Sequence, residues 1–438
     1  MSERRVTVVG AGLAGAEAAD RLTRHGFAVD LYEMKPHKHT PAHTGDGYAE
    51  LVCSNSLRSD RLENAVGLLK EEMRLLDSLI LRCADATRVP AGGALAVDRE
   101  GFSRMVTEQI EQNPLIRVHH EEVCALPDPP AIIATGPLTS DALSRSIGTL
   151  GAKLHFYDAA APIVTYDSLD HSRVYRASRY GRGDDYLNCP MTREEYFSFY
   201  RALVTAETVP LHEFETPRVF EGCMPVEVMA KRGEMTLAYG PLKPVGLEMD
   251  GKRPFAVVQL RQDNADGTLW NLVGFQTNLK FPEQKRVFSM IPGLENAEFA
   301  RYGVMHRNTF LESPKLLNSD YQLRARPGIF FAGQITGVEG YVESAASGML
   351  VGIETAARVL GLPPVDFPQE TAIGALGLYI SGGSVGDFQP MNINFGIITP
   401  LDHRVKGKRN KNAAISARSL EIIDRLIEGE VFQVEDHH

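Results

Sequence analysis

The sequence predicts an α/β fold: a Rossmann-type dinucleotide-binding domain interrupted by an α+β insertion. Three observations carry this. Val6, Thr7, Val8 and Val9 form a buried-strand pattern that runs into glycines spaced G-x-G-x-x-G and then an alanine-rich helix. A second buried-strand pattern ending in glycine, residues 328–333, appears late in the chain. Between about residues 151 and 305 the βα rhythm gives way to aromatics, prolines and short alternating runs. The expected division is a discontinuous dinucleotide-binding domain, 1–150 and 306–438, with the insertion at 151–305.

In the first loop, Gly10 permits the tight turn and Gly12 lets the backbone approach a pyrophosphate. Gly15 lets helix and strand pack closely, and Ala11, Leu13 and Ala14 complete the cradle. The free N–H groups at the helix start face the diphosphate. The helix stops at Gly26, and the next strand ends in Glu33, where a carboxylate would bind an adenosine ribose. Residues 34–49 read as a polar loop at the ligand end of the sheet. Val66, Leu69, Met73, Leu76, Ile80 and Cys83 recur at spacings of three and four, which predicts one amphipathic helix with Cys83 in the core.

Asp98 is the expected N-cap of a helix carrying Phe102, Met105, Val106 and Ile110. A strand over 116–126 would include Cys124 as a structural residue. Residues 131–137 read as a buried strand that breaks at Thr135, Gly136 and Pro137, beside the dinucleotide. In the insertion, Thr192 and Glu195 form a capping box, and residues 255–260 and 269–275 flank a hairpin loop at 263–267. The late strand leads through Gly333 and Gln334 to a small-residue helix ending before Gly361. The last helix repeats Ile415, Ser419, Ile422, Ile423, Leu426 and Ile427 on one face.

The 438 residues carry a formal net charge of −10, which excludes a general nucleic-acid binder, so any RNA site must be a local basic patch. Arg404, Lys406, Lys408, Arg409 and Lys411 are one candidate. Arg173, Arg176, Arg179 and Arg182 are another. No run of about 18 apolar residues predicts a membrane span. A strand begins almost at the first residue, which leaves no room for a signal peptide. Five scattered cysteines without a C-x-x-C pair argue against a disulfide framework or zinc ribbon and predict a cytoplasmic protein.

The late strand resembles the second flavin-contacting motif of the two-dinucleotide-binding-domain flavoproteins, which points to FAD. Its Gly333-Gln334 ending replaces the Gly-Asp of many of them; a glutamine amide can still bind a ribityl hydroxyl or a phosphate. No second G-x-G-x-x-G appears, so NAD(P)H would bind only transiently. Gly333 and Gln334, with Gly340, Tyr341, Glu343, Ala345 and Ala346, resemble the GidA-type tRNA-modifying flavoproteins. Within them the chain is most similar to the folate- and FAD-dependent tRNA (uracil-5-)-methyltransferases of the TrmFO type. Residues 51–59, 220–227, 239–247 and 392–396 carry that likeness, which covers nearly the whole chain. The wobble-uridine GidA enzymes are longer at the C-terminus.

Methylating C5 of uracil requires a nucleophile at C6, a base for the C5 proton and a carbon donor. Cysteine suits the first role, because local positive charge raises its thiolate fraction. Cys223, between Gly222 and Pro225, lies outside any apolar periodicity, and Cys53 sits in a polar segment with Ser54 and Asn55. The resemblance implies that Cys223 is the nucleophile and Cys53 the base, near the flavin, with Ser54 and Asn55 on the cofactor; Cys189 is read as structural. It also implies methylenetetrahydrofolate as carbon donor, reduced FAD as carrier and reductant, NAD(P)H to regenerate it, and the T-loop uridine of tRNA as target. GidA-like modification of wobble uridine, a small-molecule flavin oxidoreductase and a non-enzymatic RNA-binding module are the competing functions.

Overall fold

The computed structural model describes residues 4–40, 42–149, 153–181, 183–210, 224–249, 251–382, 388–429 and 432. Cys223 and Arg182 lie outside the described residues. Five parallel strands build the first sheet, in the order Ile329–Phe331, Ala131–Ile133, Arg5–Val9, Ala28–Glu33, Ile116–His120. Val8 pairs with Leu31 on one side and Ile132 on the other, so the apolar runs of three separated segments meet in one layer. Both faces of such a sheet are covered, which is why its central strands read as continuous apolar runs.

Leu13–Arg24 and Tyr341–Leu360 pack against each other beside this sheet. Their approach is closer than a side chain allows: a Cβ on Gly348 would lie 2.1 Å from the Ala14 carbonyl oxygen. The small residues of the late helix therefore pack it against the first helix.

A second sheet has six antiparallel strands, ordered Tyr175–Arg176, Tyr186–Met191, Ala256–Gln262, Leu269–Leu272, Ile163–Thr165, Phe299–Arg301. Its core, including Trp270, Tyr196, Phe199 and Phe288, is separate from the core around the parallel sheet. The hairpin forms as expected, with Leu260 opposite Leu272 and Gln262 opposite Trp270. Lys153–Ala159 and Met305–Leu311 pair as an antiparallel ribbon linking the two regions. Both halves of the Thr192–Glu195 capping box are present, and Asp98 caps Arg99–Glu111 by accepting from Gly101 N–H.

Two local expectations are corrected. The helix expected through Cys83 is two helices, Ala65–Leu75 and Leu79–Ala86. Asp77 breaks it at φ 56°, and Ser78 caps the second piece. The buried Glu17 carboxylate accepts from the Ser78 hydroxyl (2.7 Å) and from Leu79 and Ile80 N–H (3.2 and 2.9 Å). A distant side chain thus holds a helix start inside a continuous 3.6-residue pattern. The strand expected over 116–126 ends at His120, and Cys124 beyond it is exposed rather than structural. Cys83 and Cys189 are buried as expected, and burial pushes the Cys83 thiol up to about 12. Among the described residues, no helix is long and apolar enough to cross a membrane.

Candidate active site

A cleft with about 1120 Å³ of free space opens at the carboxyl ends of the parallel strands. Its walls come from Gly10, Ala11, Gly12, Leu13 and Ala14, from Thr135 and Gly136, and from Gly333, Gln334 and Tyr341. Three chain segments far apart in sequence thus meet where open α/β sheets bind ligands. The three loop glycines answer different needs. A Cβ on Gly10 (φ 98°) would lie 2.6 Å from Ala134 O, and one on Gly15 would lie 1.7 Å from Gly10 O. A Cβ on Gly12 would meet nothing within 4 Å. Gly10 and Gly15 are therefore fixed by the protein itself, whereas Gly12 borders the cleft, where a ligand backbone or phosphate needs room. The helix begins at Leu13 with no acid in its first turn, so its N–H groups stay available to an anion.

Glu33 also lines the cleft and organises the loop. Its Oε2 accepts from Ala11 N–H and its Oε1 from Lys35 N–H, each at 3.0 Å. A carboxylate offers about four acceptor positions, so two remain for ribose hydroxyls. Gln334 donates to Glu339 Oε2 (2.6 Å), which leaves its carbonyl oxygen for a ligand donor. The polar loop after Glu33 contributes Lys35, Thr40 and His43, none of which stood out in the sequence. These walls, an acid at the ribose position and a bare helix N-terminus, fit a dinucleotide cofactor.

Gly15, Ser54, Asn55, Gly340 and Glu343 are absent from the cleft walls. Asn55 is fully buried; its Nδ2 donates to Val97 O and Gln262 O (2.8 and 2.9 Å), and its Oδ1 accepts from Arg261 Nε (3.0 Å). Ser54 Oγ accepts from Arg261 Nη2 (2.7 Å). Glu343 forms an ion pair with Arg58 and accepts from Ile393 N–H (2.9 Å). Gly340 stands beside that pair, with φ 112°. These four residues fix the shape of the Cys53 segment and the start of the late helix.

Cys53 adjoins Val52 of the cleft wall, and its N–H donates to Tyr341 Oη (2.8 Å); Ser54 N–H donates to the same oxygen (3.3 Å). Burial, then the nearby Cys53, push the Tyr341 hydroxyl well above its usual range, so it stays protonated. Arg99 and Arg301 lie within electrostatic reach of Cys53. Arg99 is bound to Asp263 of the hairpin and to Leu51 O. Burial, then repulsion from Arg99, hold Arg301 below its ordinary value.

The family model described as Glucose inhibited division protein A matches residues 5–363. A relative from Desulforamulus reducens, named methylenetetrahydrofolate–tRNA-(uracil-5-)-methyltransferase TrmFO, is 62% identical over 436 residues, 98% of this chain and 99% of its own. The chain belongs to the TrmFO family, within the GidA flavoproteins. A second family member, from Acetivibrio thermocellus, is 60% identical over 428 residues, covering 96% of this chain and 98% of its own. Aquifex aeolicus GidA has the same fold, with a TM-score of 0.71 at 16% identity, over 100% of this chain and 78% of that one.

The basic clusters differ in what they do within this family member. Arg173 binds Glu195 (2.7 Å) and Glu295, Arg176 lies over the Trp270 ring (5.4 Å), and Arg179 donates to Pro241 O (2.6 Å). These three tie the insertion together. Arg404, Lys406, Lys408, Arg409 and Lys411 are exposed, and Arg409 reaches Glu63 (2.7 Å). Lys408, Arg409 and Lys411 open the helix Lys408–Ile427, where the dipole disfavours cations. An anionic partner at this helix start would offset that cost.

Proposed function

We propose that this chain methylates C5 of the T-loop uridine in tRNA, taking the carbon from methylenetetrahydrofolate. The carrying observation is its 62% identity, across nearly the full length of both chains, to a relative named for that activity. In this reading residues 1–150 and 306–438 form an FAD-binding domain and 151–305 an insertion domain. The cleft holds FAD: the loop from Gly10 to Gly15 receives the diphosphate, Glu33 the ribose, and Gln334 a polar group nearer the ring. FAD there supplies redox chemistry and one-carbon transfer, with NAD(P)H as the reductant.

The chain's own groups do the rest. The Cys223 thiolate adds to C6 of uracil, which gives C5 enolate character. Once C5 has formed its bond to the donated carbon, Cys53, its segment held by the Tyr341 hydroxyl and within electrostatic reach of Arg99 and Arg301, removes the C5 proton. Expulsion of the Cys223 thiolate restores the ring. The exposed residues from Arg404 to Lys411 meet the RNA backbone. The test uses T-arm RNA carrying 5-fluorouridine at the target, whose C5 has no proton to lose. The wild type should form a covalent complex and a Cys223→Ala variant should not. A complex that survives in Cys223→Ala overturns the assignment of the nucleophile.

A further inference from the structure

Three aromatic rings form a ladder on the edge of the antiparallel sheet. Tyr302 stacks on Phe299, with centroids 5.1 Å apart and planes 10° from parallel, and on Phe281, at 4.9 Å and 16°. Phe299, on the edge strand, packs against the core of that sheet. Phe281 opens the helix Phe281–Phe288 and is 50% exposed. An ordered stack of rings therefore presents its outer member to solvent.

Two other segments of the chain are fastened around it. The chain on either side of Cys223 is fastened just ahead of Phe281: Val209 N–H donates to Asn278 O (2.9 Å) and Val226 N–H to Gln276 O (2.7 Å). Arg301, next to Tyr302, donates to Ala42 O (3.3 Å) and lies within electrostatic reach of Cys53. The charges flanking it in the chain are largely matched. Lys280 pairs with Glu207 (2.6 Å) and Arg286 with Glu283 (2.7 Å), while Lys285 is exposed. A flat ring in a charge-balanced setting suits a base better than a phosphate.

We infer that Phe281 is the platform on which an unpaired nucleobase of the RNA substrate, a neighbour of the target uridine, stacks. This rests on the reading of the chain as a tRNA enzyme. Single-stranded bases bind proteins by such stacking, which tolerates sequence because every base has a π face. Phe281 belongs to neither the cofactor cleft nor the basic run. It would act by holding one unpaired base of the loop, which keeps the loop open.

The test uses the flavin-loaded full chain and a T-arm hairpin RNA with 2-aminopurine next to the target uridine. Wild type should bind and quench the probe. Phe281→Ala should weaken binding about 5- to 100-fold and abolish the protein-induced quenching. Phe281→Trp should restore both. Flavin content and thermal melting should match wild type in each variant. Binding and quenching by Phe281→Ala equal to wild type overturn the inference. So does loss of binding by both variants with melting intact, because a larger ring would then fail to rescue. A wild type that does not bind the hairpin overturns the tRNA reading itself, and this inference with it.

Discussion

Arg99 and Asp263 clasp the parallel-sheet region to the hairpin of the antiparallel sheet. Nη2–Oδ1 is 2.9 Å and Nε–Oδ2 is 3.1 Å, with side-chain exposures of 11% and 3%. The hairpin is held again by Ala265 N–H on Asp98 (2.7 Å) and by Asn55 on Gln262 O (2.9 Å). The Cys53 segment is caught between these contacts. Asp263→Ala leaves a buried guanidinium without its carboxylate and should destabilise the protein by about 3–5 kcal/mol in denaturant unfolding. A change under about 1 kcal/mol would show that the clasp is replaceable.

The loop glycines make separable predictions. Gly12→Ala adds a methyl that touches no protein atom, so melting of the flavin-free protein should not change. Flavin affinity should fall about tenfold, the loss of roughly 1.4 kcal/mol. Gly15→Ala drives its methyl into Gly10 O and should prevent folding of the loop altogether. Equal behaviour of the two variants in flavin titration and thermal melting would contradict this division.

Glu72 makes stability depend on pH. Its buried carboxylate accepts from Ser419 Oγ and from Ala372 and Ile373 N–H, yet burial outweighs these bonds and raises its pKa from 4.5 to about 7. The folded state therefore holds a proton that the unfolded state releases. This contribution is complete below about pH 4.5 and is lost as pH rises toward 7. Across that window it falls by at most about 1.4 kcal/mol per pH unit. Stability of Glu72→Gln should vary less steeply with pH between 5 and 7 than that of wild type. Identical slopes would locate the titration elsewhere.

The basic run should set the salt dependence of RNA binding. Five contacts to single-stranded phosphates give a slope of log affinity on log salt near −3.5, about −0.7 each. Replacing Lys408 and Lys411 by alanine should flatten the slope by about 1.4. An unchanged slope would remove this helix start from the docking surface.

Local chemistry was legible in the sequence wherever the deciding atoms lie within a few residues. The glycine loop, the Asp98 cap, the Thr192–Glu195 box and the hairpin all have this property. Most of what escaped depends on partners 50 to 300 positions away. Glu17 reaches Ser78 to split a helix whose apolar spacing never wavers, and Glu343 reaches Arg58 instead of lining the cleft. The arginines around Cys53 come from three separate stretches, and none carries a local motif. The ladder through Phe281 joins two elements that no periodicity pairs.

The central claim is the source of the methyl carbon. The direct measurement incubates the flavin-loaded protein with unmodified tRNA and NAD(P)H, supplying labelled methylenetetrahydrofolate in one reaction and labelled S-adenosylmethionine in another. Label from the folate should appear in 5-methyluridine at the T loop. Label arriving from S-adenosylmethionine, or at the anticodon wobble position, would contradict the account.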